Sequence, residues 1–187
     1  MKEKLFSFFL CLFLFLFLFT AGFLSGAEEN MQRNFWRSDF RTARKYAKEE
    51  GKLLLLFFTV SDSTTLNRQM IQIYRTGRSF LEKSASDYVL VHVDLPNAPD
   101  KLSMTRKRQN QHLRNRFSVN TFPAFVLADP STPWGTLLYK KQGKISPDEL
   151  LDVLNKRFAS KIKTLRQNRE KNTGNPVKNT SEKGKTK

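Results

Sequence analysis

The feature that most constrains this chain is a nearly unbroken apolar run, Leu53-Leu54-Leu55-Leu56-Phe57-Phe58-Thr59-Val60. A strand with one wet face alternates apolar and polar residues. A continuous run of this length reads instead as a strand covered on both faces, in a sheet held between layers of helix. The flanks agree. From Ser38 the pattern turns helical, with Trp36, Phe40, Ala43 and Ala47 at spacings of four, three and four among Lys, Arg and Glu, and Gly51 as a stop. Beyond the run, Asp62, Ser63 and Thr64 are successive candidate N-caps for a second helix. Its Leu66, Met70, Ile73, Gly77 and Phe80 lie near one face, and Gly77 marks a kink or frayed segment.

A second strand is expected at Tyr88-Val89-Leu90-Val91-His92-Val93-Asp94. The stretch 100–117 is polar and weakly amphipathic. Only Leu102, Met104, Leu113 and Phe117 suit a core, while Lys101, Arg106, Lys107, Arg108, Arg114 and Arg116 require water, so it reads as a surface helix. The segments 123–129 and 136–139, joined by a loop with Pro130, Pro133 and Gly135, form a hairpin pattern. Ser146, Pro147 and Glu149 make a capping box ahead of Leu150, Leu151, Val153, Leu154 and Phe158, which opens a last helix. Strands separated by helices must run parallel, and a short-loop hairpin adds an antiparallel pair. The expected fold class is α/β: a mixed central sheet of about four strands with helices on both faces.

The ends read differently. Residues 1–27 comprise a short basic start, an apolar block from Leu5 to Phe19 and small residues at Ser25 and Ala27, the pattern of a signal peptide cleaved before Glu28. An uncleaved anchor is the alternative, since Leu5 to Leu24 matches the roughly 20 residues that cross a bilayer. Either reading takes the rest of the chain out of the cytoplasm, to the periplasm or the extracellular space. Residues 28–34 are read as a linker and 35–160 as the folded domain. Residues 161–187 hold nine Lys or Arg against two Glu and few apolar side chains, and are expected to form a basic disordered tail. The net charge of +16 favours anionic partners such as a membrane surface or an envelope polymer, nucleic acid being the least expected because of export. The alternative is that the charge serves solubility alone.

The single cysteine, Cys11, lies in the leader. The exported part therefore has no thiol to form a disulfide or bind a metal. Two scattered histidines, His92 and His112, do not make a zinc site. No metal and no cofactor are expected.

Three pieces of this sequence resemble the thioredoxin superfamily. Phe58-Thr59-Val60-Ser61-Asp62-Ser63-Thr64-Thr65-Leu66-Asn67-Arg68-Gln69-Met70 is similar to exported thioredoxin-like families whose strand runs into F-x-G-S-D-W-C-x-W-C-x-x-L. Ser61 and Asp62 match the S-D, and Met70 takes the apolar place after the second cysteine. Tyr88 to Asp94 with Leu95-Pro96 looks like the second core strand and its D-F-P ending. Val119-Asn120-Thr121-Phe122-Pro123-Ala124 resembles the V-x-G-F-P-T segment that carries a cis-proline. The resemblance spans roughly 35–158 and implies a thioredoxin-like fold.

The departure falls on the chemistry. On this resemblance the two cysteine positions map to Thr64 and Asn67, and the tryptophan positions to Ser63 and Leu66. A cysteine at a helix N-terminus has its pKa lowered and attacks disulfides as the thiolate. A threonine hydroxyl is not deprotonated there at neutral pH, and an asparagine cannot resolve a mixed disulfide. The buried carboxylate of many thioredoxins falls on Phe57 or Phe58. No thiol–disulfide oxidoreductase activity is expected. What the resemblance leaves is a docking groove at Thr121, Phe122 and Pro123, with the backbone of Thr121 unpaired and open to an added strand. The bland alternative is that Thr64 only caps a helix and Pro123 only sets a strand entry. The expected function is a redox-inactive binding or chaperone-like module for exported polypeptides. The alternatives are a basic structural envelope protein that holds anionic polymers or membrane, and an enzyme using Thr64 with a thiol cofactor.

Overall fold

A computed structural model describes residues 35–98 and 102–173. The leader 1–27, the linker 28–34 and residues 174–187 of the expected tail lie outside the described residues. In chain order the elements are β1 Trp36–Arg37, α1 Phe40–Glu49, β2 Leu53–Thr59, α2 Thr65–Thr76, α3 Arg78–Ala85, β3 Tyr88–Asp94, α4 Met104–Arg116, β4 Ala124–Asp129, β5 Thr136–Gln142 and α5 Pro147–Thr173. The sheet order is β1-β3-β2-β4-β5. The first three strands are parallel, and β4 runs antiparallel to both β2 and β5. This is the expected mixed α/β sheet, with four long strands and a two-residue fifth.

Every residue of β2 is buried, as its composition requires. Leu53, Leu55 and Phe57 point to one face, where Met70 and Tyr74 of α2, Phe80 and Leu81 of α3, and Leu150 and Leu154 of α5 cover them. Leu54, Leu56 and Phe58 point to the other, under Phe40, Ala43 and Ala47 of α1 and Leu113 of α4. A period of two in the strand and of three to four in the helices thus builds two apolar layers. Among the described residues no helix is long and apolar enough to cross a membrane.

Three sequence expectations are corrected. Trp36 belongs to β1 beside Leu90 rather than to the first helix, and its indole N–H donates to the Tyr74 carbonyl at 3.2 Å. Asp39 accepts from the Thr42 N–H at 2.7 Å, so the helix starts at Phe40. The helix with its possible kink is two helices, with Gly77 as the C-cap of α2 and the residue before α3. The largest correction concerns the tail. Helix α5 continues to Thr173, so the domain does not end at 160 and the stretch 161–173 is ordered. Ile162 is buried and Leu165 packs on the same apolar layer. Three of the five cations of this stretch pair with acids: Lys161 reaches Asp129 at 2.6 Å, Arg169 reaches Glu50 at 3.2 Å, and Arg166 pairs with Asp87. Charge that local composition reads as a solvated tail is matched to acids on β4, the end of α1 and the α3–β3 turn.

Candidate functional site

The site is built where β2 ends and α2 begins. Thr64 has extended backbone, and its Oγ1 accepts from the Asn67 N–H at 3.4 Å, which makes it the N-cap chosen among the three candidates. Asn67 lies one turn in and is buried. Its Nδ2 donates to Ser63 Oγ at 3.0 Å and to Thr64 Oγ1 at 3.2 Å, while its Oδ1 is buried without a partner. Thr64 and Asn67 are therefore in contact, and their polar atoms bond largely to each other and to Ser63. Met70 is buried below them.

The matching Ser61-Asp62 pair ties loops together. Asp62 accepts from the N–H groups of Asn97 and Ala98 at 2.8 Å each. Ser61 donates to Asp94 through its N–H at 2.9 Å and its hydroxyl at 2.6 Å. Asp94 also accepts from the Thr59 hydroxyl at 2.9 Å, and that hydroxyl stands 2.9 Å from His92 Nε2. Since Thr59 gives its proton to Asp94, Nε2 of His92 is the donor in that contact. Burial pushes His92 down to about 4; Arg75 adds to the shift and Asp94 opposes it. Sequence reasoning singled out His92 only as a poor metal ligand. The signal for this chain of contacts was the register, since Phe57 pairs with His92 and Thr59 with Asp94. The place where the resemblance puts a buried carboxylate is apolar: Phe57 and Phe58 are fully buried, and Phe57 stacks on Phe125 at 4.7 Å.

The peptide bond Phe122–Pro123 is cis. Phe58 pairs with Ala124, so continuing the antiparallel register by two residues sets Phe122 beside Val60. Phe122 and the cap Thr64, four residues beyond Val60, therefore stand at the same end of the sheet. Strand β5 grips this segment. Gln142 Oε1 accepts from the N–H groups of both Asn120 and Thr121 at 3.0 Å, Lys140 Nζ donates to the carbonyls of Phe117 and Ser118 at 3.2 and 2.9 Å, and the Gly143 N–H donates to the Pro123 carbonyl at 2.8 Å. This corrects the expectation that the backbone of Thr121 is unpaired: its N–H is held by Gln142. Among the described residues the N–H of Phe122 makes no hydrogen bond. Phe122 is half-buried, with the Arg114 guanidinium 5.7 Å from its ring centre.

Helix α4 borders this end with five Lys or Arg and no acid. A cleft of about 440 Å³ beside it is lined by Asp39, Arg41, Arg108, His112 and Trp134, the last two rings 4.0 Å apart. No group of three His, Cys, Asp or Glu among the described residues is placed to hold a metal.

The family model of the thioredoxin-like domain matches residues 40–158. The chain belongs to that family. Its fold is similar to an oxidoreductase named DsbH, at a TM-score of 0.56 and 23% identity over 68% of this chain and 83% of that one. It is also similar to a thioredoxin from Thermus thermophilus, at a TM-score of 0.52 and 17% identity over 67% of this chain and 88% of the other. No curated protein sequence matches it. At these identities the likeness is one of fold. Within this thioredoxin-like domain the α2 N-terminus carries Thr64 and Asn67, and the only cysteine of the chain is Cys11.

Proposed function

We propose that this thioredoxin-like protein is exported and binds extended polypeptides without thiol–disulfide chemistry, as a chaperone-like module. The observation that carries the reading is the pairing of a helix N-terminus bearing Thr64 and Asn67 with a proline segment whose Phe122 N–H makes no hydrogen bond among the described residues, at the same end of the sheet. An unpaired backbone donor beside an apolar ring is what an added peptide strand uses, with backbone pairing for affinity and side-chain pockets for selectivity. Redox catalysis needs a thiolate, and neither Thr64 nor Asn67 supplies one. DsbH is named an oxidoreductase, and the likeness to it motivates the test of that activity directly.

The experiment uses residues 28–187. In an insulin-reduction assay with a thiol reductant, turnover equal to the buffer control is expected; a rate above it refutes redox inactivity. In a titration with a dye-labelled extended peptide, the amide signals of Phe122 and of Thr65 and Leu66 at the α2 N-terminus should shift. Binding with no shift at any of these places the ligand elsewhere. The second reading, an envelope protein holding anionic polymers, is favoured by the cations of α4 and the Arg41–Arg108 cleft. Raising the salt separates the two, because Debye screening to about 3 Å at 1 M removes the polymer contacts and leaves strand pairing.

A further inference from the structure

Two successive backbone N–H groups, those of Asn120 and Thr121, converge on one oxygen. In a strand, neighbouring N–H groups point to opposite sides, so this segment is not extended but curled into a concave seat for a single acceptor. Seats of this kind, formed by successive N–H groups, favour anionic oxygens. Here the occupant is a neutral amide oxygen from the chain itself, Gln142 Oε1, delivered by the last residue of β5, which pairs with Ala124. The surroundings are cationic. Lys140 caps the carbonyls just before the seat, and Arg114 donates to the Val119 carbonyl at 3.2 Å while lying over the Phe122 ring. Lys141 and Lys144 flank Gln142 in the chain. Asn120 and Thr121 are exposed, so the seat opens to solvent once the Gln142 side chain swings away.

We infer that Gln142 is the specificity-determining residue of the peptide-docking surface, a built-in placeholder that yields the Asn120–Thr121 seat to a carboxylate carried by the docking peptide. The inference rests on the docking reading above. A charged acceptor makes a backbone hydrogen bond roughly twice as strong as a neutral one, so a carboxylate displaces the amide where a peptide carbonyl, equal to it in kind, does not. The peptide backbone is then left with the N–H of Phe122, and its carboxylate with the seat one residue away. Capture of a carboxylate by paired backbone N–H groups is a known mode of peptide recognition.

The test uses residues 28–187 and a dye-labelled ten-residue peptide of alternating Val and Thr in three forms: a free acid, a C-terminal amide, and the amide with one central Asp. Wild type should bind at least one acidic form roughly three- to tenfold more tightly than the plain amide, about the difference between a net hydrogen bond to a charged acceptor and one to the neutral amide that it displaces. Which acidic form gains tells a terminal from a side-chain carboxylate. Gln142→Ala empties the seat, so it should bind all three forms more tightly and expose the Asn120 and Thr121 amides to faster hydrogen exchange. Gln142→Glu fills the seat with the chain's own carboxylate and should erase the preference for the acidic forms while leaving the plain amide bound. Equal binding of the three peptides by wild type, or an unchanged preference in Gln142→Glu, overturns the role of Gln142 and leaves the docking reading intact. If no form binds to wild type or either variant, although exchange shows all three to be folded, the docking reading itself falls and this inference with it.

Discussion

Replacing Ile162 with alanine separates a packed C-terminal helix from a solvated tail. Ile162 is only 7% exposed and joins the layer that includes Leu150, Leu151 and Leu154. The substitution deletes three carbon groups. At about 0.8 kcal/mol for each buried methylene-sized group, the transfer loss is about 2.4 kcal/mol. A residual cavity adds to this, and buried Ile or Leu to Ala changes span roughly 2–5 kcal/mol. Ile162 keeps 7% of its surface exposed at the edge of the layer, where the surroundings can collapse into part of the space, so a loss of about 2–3 kcal/mol is expected. Denaturant unfolding followed by far-UV circular dichroism measures it, with the slope unchanged so that the midpoint alone moves. Lys163→Ala, one residue away and exposed, is the control and should stay within about 0.5 kcal/mol. If Ile162→Ala is as mild as the control, residues beyond 160 do not pack and the ordered extension of α5 is refuted.

Other outcomes follow from the same contacts. Gly51 has φ +62°, and an added Cβ would stand 2.7 Å from the Leu165 carbonyl, so Gly51→Ala should cost more than the roughly 1–2 kcal/mol of a left-handed residue alone. Ending the chain at Ser160 should remove the excess over that figure, as read from unfolding curves. His92 binds its proton in the unfolded chain near its ordinary value of 6.5 and in the folded chain only near 4. Between those values the unfolded state holds more protons, so stability should fall as pH drops from 6.5 to 4, by roughly 3 kcal/mol at 1.36 kcal/mol per unit. His92→Asn should flatten that part of a pH–stability curve. Thr64→Ala should lose about 1 kcal/mol as a missing N-cap, with Thr64→Ser nearly neutral; equal stability of all three would show that the hydroxyl does not cap α2.

The apolar run of β2, the N-cap at Ser146 and the hairpin with Gly135 were legible because each is a local pattern. A strand covered on both faces, a capped helix and a tight connection leave their signatures within about ten residues. The same locality made Thr64 and Asn67 readable, since an N-cap and the residue three positions on must meet. It also misled. The four-residue step from Trp36 to Phe40 looks helical, yet the two residues lie in a strand and at a helix start, because Asp39 caps between them.

The sequence by itself determined the four long strands, most of the helices around them, that the sheet is mixed, and that no thiol stands at the α2 N-terminus. Tertiary structure alone decided which charges and amides have partners. Arg166 meets Asp87 across 79 residues, and Gln142 reaches back 21 residues to the N–H of Thr121. Lysine, arginine and glutamine look alike in a sequence whether they end in water or on a distant acceptor, because nothing in the local pattern records what the fold brings opposite them. Residues 161–173 therefore read as a tail until the acids of three other elements stood beside them, and the backbone of Thr121 read as open until β5 placed an amide oxygen on it.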